Sequence, residues 1–73
     1  MSGKAVLKVR FNASSQKFER FGNDMYLVYL PYPEDGDSLS VLQAMLSKNI
    51  GLPPGRIEFA GKDVRGNWVF ELV

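Results

Sequence analysis

The sequence predicts a two-layer α+β domain of ββαββ order, with one helix packed on a four-stranded sheet. Three observations carry this reading. Residues 4–11 alternate between apolar and charged side chains. Residues 37–51 hold one amphipathic helical stretch between a capping pair and a glycine. Residues 56–61 and 68–73 then return to period two. Residues 1–73 read as a single domain, with no repeat, low-complexity tract or linker.

In Lys4-Ala-Val-Leu-Lys-Val-Arg-Phe11, the residues Ala5, Leu7, Val9 and Phe11 fall on one side and Lys4, Val6, Lys8 and Arg10 on the other. That is a half-buried strand with its cations outward. Residues 12–15 are polar and suited to a turn. Lys17-Phe-Glu-Arg-Phe21 alternates only briefly, and is either a short strand or an apolar clasp outside the sheet. Gly22-Asn-Asp24 is a turn signal leading into Met25-Tyr-Leu-Val-Tyr-Leu30. This second strand is so apolar that both its faces are expected to be covered, or nearly so. Pro31-Tyr-Pro33 ends it, because proline cannot donate to a ladder.

The helix is predicted to start at Asp37 or Ser38, either of which can cap the free amides of its first turn. Glu34, Asp35 and Asp37 stand near the positive end of its dipole. Leu39, Leu42, Leu46 and Ile50, with Val41 and Met45 beside them, form its apolar stripe, while Ser40, Gln43, Ser47 and Lys48 are expected to face solvent. Gly51 is placed as a left-handed cap, Leu52 to fold back on the last turn, and Pro53-Pro54 to forbid continuation. Ile57 and Phe59 point inward from the next strand, Lys62–Asn67 is a polar turn, and Trp68, Phe70 and Leu72 alternate with Val69, Glu71 and Val73 to the end.

The composition narrows function more by what it lacks. Without cysteine there is no disulfide and no Cys-ligated zinc. Without histidine the commonest general base and metal ligand are gone, and with them any Ser-His or Cys-His nucleophile. The expectation is therefore a protein that is not an enzyme, without cofactor, and with no small-molecule substrate to name. No apolar run approaches the roughly 20 residues of a membrane span. The opening MSGKAVLK lacks an apolar signal core, so a cytoplasmic protein with its start Met is expected and no membrane partner.

Net charge is only +1, but its distribution is uneven. Residues 1–22 carry Lys4, Lys8, Arg10, Lys17 and Arg20 against Glu19 alone, and residues 23–37 carry Asp24, Glu34, Asp35 and Asp37 with no basic partner. One end of the fold is thus expected to be basic and the other acidic. Lys8, Arg10, Lys17 and Arg20 interleave with Phe11, Phe18 and Phe21, and Lys62 and Arg65 would extend the patch if the sheet order brings them close. The plainer reading is a solvated strand face over a core that needs its phenylalanines. The sharper one is a nucleic-acid surface, because aromatics on an open sheet face stack bases while Lys and Arg hold phosphates. Glu34, Asp35 and Asp37 are more simply helix partners than a cation site, and isolated Gly36 and Gly61 lack phosphate-loop spacing.

Over residues 13–65 the chain resembles the YggU-like family, small bacterial and archaeal proteins known only as a domain of unknown function. The marks are Ala13-Ser14, Phe18, Gly22-Asn-Asp24 before a strand, Pro31-Tyr-Pro33-Glu-Asp-Gly36, a Leu-rich helix, Leu52-Pro-Pro54, Ile57-Glu-Phe59, Gly61 and Arg65. It departs from the family at Ser38-Leu39, where an Ala-Asn pair is usual, and at Val64-Arg-Gly-Asn67, where only Arg65 survives of a Ser-Arg-x-Lys pattern. A narrower segment, Asp37-Ser-Leu39 through the helix to Gly51-Leu-Pro-Pro54 and Ile57-Glu-Phe-Ala-Gly-Lys62, is similar to the helix and third strand of ubiquitin. That second resemblance implies a β-grasp protein-interaction module, whose first strand lies parallel to its last in the middle of the sheet. The end Phe70-Glu-Leu-Val73 has no Gly-Gly tail for conjugation or sulfur carriage. The two readings thus call for different partners: RNA on the basic strand face, or a protein on an apolar sheet patch.

Overall fold

In the computed structural model, which describes residues 3–73, five strands and one helix form two layers. Met1, the expected start residue, lies outside the described residues together with Ser2. Strand β1 spans Gly3–Arg10, β2 Lys17–Arg20, β3 Met25–Tyr29, helix α1 Ser38–Ile50, β4 Ile57–Lys62 and β5 Trp68–Leu72. A short 3₁₀ turn, Pro54–Arg56, leads into β4. The α+β class and the single helix are as predicted. The count and order are not: the sheet has five strands rather than four, and the order is βββαββ rather than ββαββ. The missing strand is Lys17–Arg20, which pairs antiparallel with β3 at the sheet edge.

The sheet runs β2-β3-β1-β5-β4 and is mixed. β1 lies parallel to β3 and antiparallel to β5. A parallel neighbour needs a long return path, which residues 11–24 supply by passing over the end of β3 and coming back as β2. Asn12, in the left-handed region at φ 58°, turns the chain out of β1, a conformation asparagine tolerates better than most residues. Its amide donates to Tyr32 O (3.0 Å) and that of Ala13 to Leu30 O (2.9 Å), so the crossing is tied to the end of β3. This sheet is not in β-grasp order. The long connection puts β3, not the last strand, parallel to β1, and leaves β5 antiparallel to it.

One face of the sheet buries against α1. Ala5, Leu7, Tyr26, Val28, Leu30, Leu42, Leu46, Ile57, Trp68 and Phe70 make the core, and Val9, Phe11, Phe18, Leu39, Val41, Met45, Ile50 and Leu52 pack around it. Trp68 is inside, contacted by Phe11 and Phe59 at ring centroid distances of 6.5 and 5.2 Å. The predicted helix stop forms: Gly51 adopts φ 76° and its amide donates to Ser47 O.

Two helix details differ from expectation. Gln43 and Ser47 do not simply face solvent. The Gln43 amide donates to Pro54 O (3.0 Å) and Ile57 O (2.6 Å), and the Ser47 hydroxyl donates to Leu52 O. These bonds satisfy backbone carbonyls where the chain turns from helix to β4, so local polarity serves the turn rather than the surface. At the other end, Asp37 occupies the cap position without a side-chain bond. Ser38 is buried, and its Oγ instead accepts the Asp35 amide (2.9 Å), while Asp35 Oδ1 accepts the Asp37 amide (2.8 Å). The acidic loop thus braces itself before the helix begins.

Candidate nucleic-acid interface

A single helix covers a single sheet face, and period two assigns every outward strand residue to the other one. Register then reads as rows across the open face. At the end where β1 finishes, Lys17 on β2, Tyr29 on β3 and Arg10 on β1 lie side by side. The next row is Glu19, Leu27 and Lys8. Met25, Val6 and Val69 form an apolar middle row, with Phe21 beside Met25 through a Phe21 N–H to Met25 O bond of 3.1 Å. The far row is Lys4, Glu71 and Glu58. Adjacent strands stand about 4.8 Å apart, so Lys17 and Arg10 flank Tyr29 across roughly 10 Å of backbone.

The result is a basic corner with aromatic and aliphatic residues inside it. Lys8, Arg10, Phe21, Leu27 and Tyr29 line a shallow depression of about 200 Å³. Phe21 is 52% exposed and Tyr29 and Leu27 are half-buried, so their apolar surfaces meet solvent. Lys17 Nζ lies 3.0 Å from Glu19 Oε1, and that hydrogen bond, with the carboxylate charge, holds the ammonium above its ordinary pKa. Lys17 therefore stays charged, but with a competing anion at its side.

The six basic residues singled out by sequence separate into three places. Lys8, Arg10 and Lys17 share the open face. Arg20, opposite inward-facing Tyr26, lies on the helix side of β2. Its guanidinium donates to Gly22 O (3.1 Å) and Asn23 O (3.0 Å), so it secures the β2–β3 turn. Lys62 also belongs to the helix side, paired with Glu34 at 2.7 Å and standing 4.7 Å from the centre of the Trp68 ring. Period two would have put it with Glu58 on the open face, but the bulge at residues 59–61 shifts the alternation and brings it to the side of Phe59, opposite Trp68. Arg65 stands in the β4–β5 hairpin loop at the same end of the sheet as Arg10, outside the depression.

The basic and acidic segments of the first 37 residues consequently do not form opposite ends. Glu34 pairs with Lys62 on the helix side, and on the open face Glu19 of β2 stands among the cations while Glu58 and Glu71 at the far end come from β4 and β5. Of the three phenylalanines interleaved with cations, Phe11 packs on Trp68 and Phe18 on Tyr26 (5.3 Å), leaving Phe21 on the open face. Tyr29 and Leu27 are not among the residues singled out from sequence, because a run as apolar as Met25–Leu30 reads as covered, or nearly so, on both faces. The signal was present: Met25, Leu27 and Tyr29 alternate with Tyr26 and Val28, and one helix cannot cover both sets.

Two larger depressions lack this combination. One, of about 360 Å³, is lined by Phe18, Arg20, Tyr26, Asn49 and Ile50, but its two rings pack against each other at a tilt and its guanidinium is engaged. The other, of about 430 Å³, brings together Gly3, Lys4, Asp24 and Glu71, a mixed-charge rim without an aromatic ring. Among the described residues, no helix is long and apolar enough to cross a membrane. Compared with protein-family models, curated proteins and solved structures, the chain matches none.

Proposed function

We propose that this protein is a non-enzymatic module that binds single-stranded nucleic acid, RNA or DNA, through the open face of its sheet. The observation that supports this reading is the cross-strand row Arg10, Tyr29 and Lys17, with Lys8 one row behind. Cations held on strands around a half-exposed ring suit a polyanion whose bases have flat faces. The chain offers neither histidine nor cysteine for acid–base or nucleophilic work, and its open-face cations are suited to holding charge rather than moving protons. The resemblance of residues 13–65 to the YggU-like family belongs to the same proposal.

Three phosphate contacts are the most this corner provides, so binding is weak and depends strongly on salt. Fluorescence anisotropy of a labelled oligouridine, titrated at several salt concentrations, reads this directly. With Lys8, Arg10 and Lys17 engaged, the logarithm of the association constant falls against the logarithm of salt with a slope of about −2, from roughly 0.7 per phosphate on a single strand. Arg10→Ala shallows that slope by about 0.7. No binding even at low salt, or a slope unchanged in Arg10→Ala, overturns the proposal.

A further inference from the structure

The depression lined by Lys8, Arg10, Phe21, Leu27 and Tyr29 is small, one-sided and chemically uneven. Its apolar part comes from the Tyr29 and Phe21 rings and from Leu27, all on the two strands nearest the β2 edge or just past their ends. Its polar part is two cations on one strand, Lys8 and Arg10, which is β1. A ligand that fills it therefore has a flat apolar body on the β3 side and negative charge on the β1 side. One nucleotide has that shape and charge. A duplex does not: its bases are stacked inside, and this shallow depression cannot admit a base pair edge-on.

The lining also has no side-chain amide, carboxylate or aliphatic hydroxyl, and its only polar groups are the two cations and the Tyr29 phenol. Base identity is read by matched donors and acceptors, and ribose is told from deoxyribose by a partner for the 2′-hydroxyl. With the two cations on phosphate, the Tyr29 phenol is the one side-chain group left in the lining for either role, too few to match a base edge. Stacking, in contrast, is available to every base because every base has a π-face.

We infer that this depression seats one unpaired base between Tyr29 and Phe21 on Leu27, with the adjoining phosphates on Lys8 and Arg10, and that it accepts single-stranded RNA and DNA alike. The inference rests on the proposed function and makes it narrower: the ligand class is an unpaired strand of either sugar, held one base at a time without sequence readout. Lys17 and Glu19 lie at the edge of the seat and adjust its charge rather than its shape.

The test uses the full chain and labelled probes of ten nucleotides, an oligouridine, an oligothymidine and a self-complementary duplex, with uridine monophosphate as a competitor. The uridine and thymidine strands bind within about threefold of each other and at least tenfold more tightly than the duplex. Phe21→Ala and Tyr29→Ala each weaken strand binding by at least about fivefold, the lower limit for a stacked base. Tyr29→Phe keeps the ring and keeps the affinity, and a thermal melt shows that each variant is folded. The monophosphate competes only at concentrations far above the strand.

Full affinity in folded Phe21→Ala and Tyr29→Ala, with binding still lost on Lys8→Ala, overturns the base seat while leaving the basic face as a phosphate surface. A duplex bound as well as the strand overturns it too. A monophosphate that competes as well as the strand assigns the seat to a free nucleotide and overturns the strand reading. Wild-type protein that binds neither strand at low salt defeats the underlying function instead, so the two failures are distinct.

Discussion

At the scale of single residues, the charge of the open face turns on Glu19. It is the one acid in the two rows that hold Lys8, Arg10 and Lys17, and its carboxylate already occupies Lys17. An exposed pair of this kind contributes little to stability, because water screens it and two long side chains must be held in place. It does, however, set a phosphate in competition with a tethered anion. Glu19→Gln therefore leaves the melting temperature nearly unchanged and tightens oligouridine binding about two- to threefold, with the salt slope staying near the value for three phosphate contacts. A titration of the variant beside the parent chain checks this, and weaker binding in Glu19→Gln contradicts it. That Lys17 and Glu19 face the same way follows from their spacing of two, but neither was recognisable as an ion pair on an open face while Lys17–Arg20 was not placed in the sheet.

At the scale of elements, the β4–β5 hairpin is built by one side chain. Asp63 Oδ1 accepts the amides of Arg65 and Asn67, both at 2.9 Å, and its Oδ2 accepts the Asn67 side-chain amide at 3.1 Å. Gly66 takes φ 80°, where its lack of a Cβ removes the steric penalty, and its amide donates to Asp63 O. The Asn67 amide first, then its side chain and the Arg65 amide and charge, hold the Asp63 carboxyl below its ordinary value of 3.8.

A carboxyl with a lowered folded pKa stabilises the folded loop above its unfolded pKa. That contribution is lost as pH falls through the folded value. Amide resonances of Arg65 and Asn67, followed from about pH 5 to about pH 2, thus shift with a midpoint below 3.8, and their exchange protection falls across the same window. A midpoint at or above 3.8 contradicts the arrangement.

The elements also show why part of the fold was legible and part was not. Helix α1 was, because Leu42 and Leu46 fall at helical spacing and Gly51-Leu-Pro-Pro54 fixes its end by local chemistry. Strand β2 was not. Four residues with one half-buried apolar side chain, Phe18, carry almost no periodic signal, and its place at the edge is set by pairing with β3. The direction of β1 against β3 and β5 was equally hidden, because parallel or antiparallel pairing is decided by how residues 11–24 return and not by either strand's own sequence.

At the scale of the whole molecule, one helix against a five-stranded sheet leaves the sheet two unlike faces. The helix side holds the core, including Trp68 and Phe70, together with the Glu34–Lys62 pair that closes over the indole. The open side holds an apolar middle row with a basic corner at one end and Glu58 and Glu71 at the other. Alternation in residues 4–11 announced the cations of that corner, so Lys8 and Arg10 were legible as outward. Its aromatic partner Tyr29 was not, because a run as apolar as Met25–Leu30 looks covered on both sides until the layers are counted. Arg20 and Lys62 looked like part of the same patch, and only the face each occupies removed them.

Binding thus belongs to one face of the sheet, and mapping a bound strand onto the two faces tests this most directly. In an amide chemical-shift titration of isotopically labelled protein with a short oligouridine at low salt, the expected perturbations fall in Lys8, Arg10, Phe21, Leu27 and Tyr29, with those of Lys17 and Glu19 following. The helix-side amides of Leu42, Leu46 and Lys48 stay in place. Perturbations gathered on the helix side around Lys48 and Arg56, or none at a strand concentration in large excess, would contradict it.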